Sequence, residues 1–187
     1  MSRVFIIHGW GGNPKKEWFP WAKKEISNLG FEVVVPEMPD TNYPKIGLWV
    51  NKLHEVVGEI KDDDIFIGHS IGCQTILRFL NTVSTDQKAD RLILVAPWWY
   101  LNLSTNEEKI LAEPWLKFDV NMKNIKEKVE KVICIFSKDD PVVPFKINKK
   151  LFKDNFNAEI IVEDKKGHFS AEDGVFEIPV LLKLLMQ

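Results

Sequence analysis

Gly68-His69-Ser70-Ile71-Gly72 stands between the apolar run Ile65-Phe66-Ile67 and the helical pattern that starts at Cys73-Gln74-Thr75-Ile76-Leu77. A G-x-S-x-G between a strand and a helix has a mechanical meaning: the serine occupies a strained strand-to-helix turn, and the glycines two residues before and after it remove Cβ atoms that would strike nearby backbone. From the composition, only about 0.02 such strings are expected by chance, before the strand and helix flanks are required. The competing reading is an ordinary glycine-rich turn with no chemistry.

Outward from this pentapeptide, short β-branched runs alternate with longer stretches of helical period, the pattern of a parallel sheet covered by helices on both faces. Strands are expected near residues 4–8, 32–35, 65–67, 92–95, 132–136 and 159–162. Nearly all are apolar, as strands buried on both faces should be. Helices are expected near residues 17–29, 47–60, 72–83, 145–155 and 176–185, with Gly30 just past the end of the first. Residues 97–128 interrupt the alternation and carry Trp98, Trp99, Tyr100, Pro114, Trp115 and Phe118. A stretch this long inside one domain of residues 1–187 reads as a lid or pocket wall, the plainer alternative being a helix packed on the sheet.

Serine is a weak nucleophile unless a base within hydrogen-bonding reach takes its proton, and a carboxylate holds that base in the right tautomer. Of four histidines, His8 ends the first strand, His54 lies in a helix and His69 adjoins the serine but points away from it. His168 remains, in Lys165-Lys166-Gly167-His168-Phe169 after the last strand, on the side where ligands enter a parallel sheet. For the acid, Ser137-Lys138-Asp139-Asp140-Pro141 follows the preceding strand and offers two adjacent aspartates. Either gives the chain order Ser, Asp, His of α/β hydrolases. The oxyanion would be met by the Ile71 N–H and by one from His8-Gly9-Trp10-Gly11-Gly12, with Trp10 the candidate. A dinucleotide fingerprint in that loop fails, because Pro14 stands where the third glycine belongs.

The chain has 187 residues, 45% hydrophobic and 28% charged, which suits one globular domain rather than disorder. Lys plus Arg number 25 against 27 Asp plus Glu, a net charge of −2, so nothing drives it broadly toward nucleic acid or an anionic membrane. Lysines between 123 and 131 alternate with Glu127 and Glu130 and read as a solvated face. Two cysteines, Cys73 and Cys134, sit in apolar runs without metal-ligand spacing, which suits a reducing compartment. No secretory leader or membrane span is evident, so a cytoplasmic location is expected. No metal is expected either, since no H-E-x-x-H or similar spacing occurs.

The opening His-Gly-Trp-Gly-Gly, Glu17-Trp18-Phe19-Pro20-Trp21, Gly-His-Ser-Ile-Gly-Cys, Ser-Lys-Asp-Asp-Pro-Val-Val-Pro and Lys-Gly-His-Phe together resemble the small serine hydrolases of the RBBP9/YdeN family, from Val4 to the C-terminus. The resemblance implies an α/β fold: a truncated α/β hydrolase lacking the first two strands, with six mainly parallel strands ordered 2-1-3-4-5-6. It maps a catalytic triad onto Ser70, Asp140 and His168. Lys166 departs from the glycine common in related sequences. The implied chemistry is hydrolysis of a small carboxylic ester, a thioester or an activated amide through an acyl-serine, with a small-molecule partner and no cofactor; a binding protein that keeps the fold but turns over little is the alternative. Trp98, Trp99 and Trp115, with Trp10, are candidate pocket walls, which would limit acyl chains to short or medium length. If instead they pack the core, no such limit follows.

Overall fold

The computed structural model describes every residue of the chain except Thr85 and Phe118. Its elements are β1 (Arg3–Ile7), α1 (Phe19–Asn28), β2 (Glu32–Val34), α2 (Ile46–Val57), β3 (Ile65–His69), α3 (Ile71–Thr82), β4 (Ala89–Val95), α4 (Asn106–Leu116), α5 (Met122–Glu127), β5 (Val129–Ser137), α6 (Phe145–Phe156), β6 (Glu159–Glu163) and α7 (Val180–Leu185). All strand pairings are parallel and the sheet order is β2-β1-β3-β4-β5-β6, the order implied above. Right-handed crossovers place α2, α3, α5 and α6 on one face and α1 on the other; α7, after the last strand, packs on α1, and α2 packs on α3. Strand order reverses between β1 and β3, so a crevice opens at their C-terminal ends.

The central strands are apolar because both faces are covered. Val4, Phe5, Ile6 and Ile7 of β1 and Phe66 and Ile67 of β3 are buried, each such side chain contributing about 1.5–3 kcal/mol against exposure. The edge strands β2 and β6 are only partly buried. β4 and β5 begin about three residues earlier than their apolar runs: Arg91 pairs in register with Lys131, and polar residues at that end of the sheet, such as Arg91 with Asp90 and Lys131 with Glu159, find ionic partners.

Two expectations need correction. The last helix starts at Val180, not at 176, because Pro179 occupies its N-cap and a proline inside the helix would forfeit a hydrogen bond. Lys128 does not join a solvated face: it is buried, and its Nζ donates to the carbonyls of Leu80 and Val83 at 2.9 and 2.6 Å. That satisfies acceptors left over at the end of α3. The interruption at 97–128 holds the short helices α4, opened by a Thr105–Glu108 capping box, and α5; Phe118 lies outside the described residues. Among the described residues no helix is long and apolar enough to cross a membrane.

Candidate active site

Ser70 follows β3 directly and is the N-cap of α3, with φ +53°. A serine at that position ordinarily caps the helix with its hydroxyl, but here the left-handed backbone turns Oγ away and no side-chain cap forms. The flanking glycines are required by contact: a Cβ on Gly68 would lie 2.8 Å from Cys73 backbone, and one on Gly72 would lie 2.2 Å from the carbonyl oxygen of Ile7. The pentapeptide thus lets α3 seat on the end of β1.

The freed hydroxyl lies 2.9 Å from His168 Nε2, and His168 Nδ1 lies 2.9 Å from Asp140 Oδ2. The other carboxylate oxygen, Oδ1, accepts from the N–H groups of Val142 and Val143, each at 2.9 Å. Two backbone donors therefore aim the carboxylate at the imidazole. Asp140's side chain is 2% exposed and that of His168 is 18%, so the pair is screened weakly while the histidine still reaches solvent. Asp139 is exposed and turns the other way, accepting from Ser137 Oγ at 2.6 Å, a bond that holds its carboxyl below the ordinary range. Ser137 Oγ in turn accepts the N–H of Lys166.

The glycine loop after β1 is cross-tied. His8 is buried and donates Nδ1–H to the Gly9 carbonyl at 2.9 Å, while its Nε2 accepts the Met38 N–H at 3.3 Å; burial pushes its pKa down, so the ring is neutral in one tautomer. Gly11 N–H donates to Thr41 and Gly12 N–H to Gly9. Trp10 and Ile71 both line a crevice of about 940 Å³ over Ser70. The Ile71 amide, first in α3, has no intrahelical acceptor.

The three candidate wall tryptophans separate. Trp98 lies in the crevice and its Nε1 is 3.3 Å from Ser70 Oγ. Trp99 does not border the crevice: its ring packs on Phe152 and Phe156 of α6. Trp115 is buried and borders an adjacent cavity, not the crevice itself. Leu101, Leu103, Glu107 and Leu111 of the interruption do border it.

Several residues of the site carried no evident sequence signal. Asp173 accepts from the His168 and Ser170 N–H groups at 2.8 and 3.2 Å and from Ser170 Oγ at 2.7 Å, fixing the loop that presents the base. Ser170-x-x-Asp173 has the spacing of a capping box, which was the available clue. Gly167 has φ +50°, and a Cβ there would overlap Asp173 Oδ1. Glu17 borders the crevice with φ +55°. Partial burial raises its pKa, against the pull of His168 and with the push of Glu172 and Asp173.

Residues 4–187 match the family model of serine hydrolases. The chain is similar to YdeN of Bacillus subtilis (strain 168), 27% identical over 184 residues, which cover 98% of this chain and 94% of that one. The crystal structure of the B. subtilis ydeN gene product superposes with a TM-score of 0.90 at 26% identity, over 100% of this chain and 97% of that one. A carboxylesterase structure from Nitrososphaera gargenis has a TM-score of 0.70 at 16% identity, over 99% and 88%, a likeness of fold.

Proposed function

The chain belongs to the serine hydrolase family, within the α/β-hydrolase superfamily, and on that premise we propose that it hydrolyses small carboxylic esters through an acyl-serine intermediate. What carries the reading is the unbroken relay from Asp140 through His168 to Ser70, with both links at 2.9 Å. Ser70 Oγ attacks the ester carbonyl carbon as its proton passes to His168 Nε2, and the imidazolium is stabilised by Asp140. The carbonyl oxygen becomes an oxyanion held by the N–H groups of Ile71 and Trp10. Collapse breaks the bond to the alcohol, which leaves with the proton from His168. Water then repeats the sequence on the acyl-serine: its proton goes to His168, the acid departs, and Ser70 recovers its hydrogen.

Fluorophosphonate labelling with mass spectrometry tests this directly. Modification at Ser70, lost in Ser70→Ala and strongly slowed in His168→Ala, is the expected result, together with turnover of p-nitrophenyl acetate. Removing both residues should cost hardly more than removing one, since they act as a unit. An unmodified Ser70 under conditions that label a control hydrolase would leave a binding protein on a hydrolase fold.

A further inference from the structure

A second cavity adjoins the crevice over Ser70. Tyr43 and Leu111 border both the crevice and this cavity of about 520 Å³, which runs between residues 40–46 and helix α4. Its lining is mainly apolar, including Ile46, Ile110, Pro114 and Trp115, with Asp40 and Lys45 the charged residues. Its two walls are tied together: Trp115 Nε1 donates to the Pro44 carbonyl at 3.1 Å, and its ring packs edge-on against Trp49. Each wall also exposes one large side chain in an unusual way. Ile110 is 72% exposed, more than any other large hydrophobic among the described residues except Met1, and Tyr43 is 51% exposed. Exposed apolar residues scattered singly are ordinary, whereas these two border one groove that adjoins the crevice of a nucleophile. Pro114 adds to this, standing inside α4, where it weakens the helix but contributes an apolar ring to the groove.

We propose that this groove holds a medium-length apolar acyl chain of the ester substrate, so that the substrate reacts at Ser70 and is recognised between Tyr43 and Ile110. The inference rests on the esterase reading above and assigns its substrate class. The acyl half is favoured over the alcohol half by proton geometry. The leaving oxygen takes its proton from His168, so the alcohol lies toward the rim formed by residues 168–173. The groove opens instead beside Asn42, whose carbonyl accepts Trp10 Nε1–H from the loop after β1 at 2.9 Å.

The test compares kcat/KM for p-nitrophenyl acetate and octanoate, and for ethyl and octyl acetate, in the wild-type protein, Ile110→Glu and the control Ile147→Glu. Ile147 is an exposed residue of α6 that borders neither cavity. The octanoate to acetate ratio should fall about tenfold in Ile110→Glu, the order of discrimination that an apolar pocket gives, and hold in Ile147→Glu. An unchanged ratio overturns the proposal, as does a fall confined to octyl acetate, which would put the alcohol in the groove. Absence of turnover with every ester would instead defeat the esterase reading. The groove is then judged by titrating Ser70→Ala with methyl decanoate: binding lost in Ser70→Ala/Ile110→Glu upholds it, and no binding by Ser70→Ala overturns it.

Discussion

His69, the neighbour of the nucleophile, lies with its Nε2 2.8 Å from the main-chain carbonyl of His168. A carbonyl only accepts, so Nε2 carries the hydrogen and Nδ1 has none in the neutral ring; Nδ1 is buried with no hydrogen-bond partner among the described residues. Burial, with the nearby His168 adding to it, brings the pKa of His69 down to about 3. His168 is thus joined to the nucleophile turn twice, by its side chain to Ser70 and, as a strap, by its backbone carbonyl to His69.

The strap predicts acid lability with a defined sign. Unfolded, His69 titrates near 6.5, whereas the folded chain keeps it neutral down to about 3. Between those values the unfolded state binds the additional proton, so stability is intact above about pH 6.5 and is lost as pH falls toward 3, by several kcal/mol across the window. His8, also lowered by burial, acts in the same direction. Urea midpoints followed from neutral to mildly acidic pH should drop less steeply in His69→Gln, whose amide can still donate to the carbonyl. An equal slope in both proteins would refute this role.

Asp140 and Asp139 should respond very differently to replacement by Asn. Only Asp140 faces His168 Nδ1, and Asn there would upset the tautomer that Ser70 needs; the loss in kcat is expected to approach about 10⁴-fold. Asp139→Asn removes the charge of an exposed residue whose amide oxygen can still accept from Ser137 Oγ and should cost less than about tenfold. Steady-state kinetics on p-nitrophenyl acetate decide between them, and the reverse ranking would reassign the acid.

Trp98 touches the reacting atom and should matter for more than its bulk. Its indole N–H, 3.3 Å from Ser70 Oγ, occupies an oxygen lone pair while the hydroxyl hydrogen is directed to His168. Trp98→Phe keeps an aromatic ring and removes the donor, so kcat should fall up to about tenfold, the worth of one modest hydrogen bond, with KM little altered. A large rise in KM at constant kcat would make Trp98 a pocket wall only.

Two glycines on helices should give opposite results on becoming alanine. At Gly72 the new methyl would meet the Ile7 carbonyl at 2.2 Å and that of His8 at 2.8 Å, an overpacking expected to cost about 3 kcal/mol or more. At Gly47, within α2, nothing lies within 4 Å, and alanine should stabilise by about 0.5–1 kcal/mol through helix propensity. Guanidinium denaturation reads both, with an unchanged m-value as the check on two-state behaviour.

Much of this protein was legible locally because its rules are local. The strand-to-helix turn at Ser70 shows itself through two glycines placed where Cβ atoms cannot fit, and the sheet shows itself through alternating apolar and helical periods. Other features depend on residues far apart in the chain and have no local signature. Trp98 and Trp99 are indistinguishable neighbours until the backbone sends one ring to Ser70 and the other to Phe152. Lys128 reads as surface until the end of α3 supplies two carbonyls to solvate its ammonium. The groove exists only because Tyr43 and Leu111, 68 positions apart, are brought to one opening by the sheet and its helices. Spacing and periodicity along the chain determined the fold and the set of candidate reactive groups; their partners, and the shape of the space in front of them, were decided by tertiary packing, because hydrogen-bond geometry and excluded volume act between whatever atoms the fold makes neighbours.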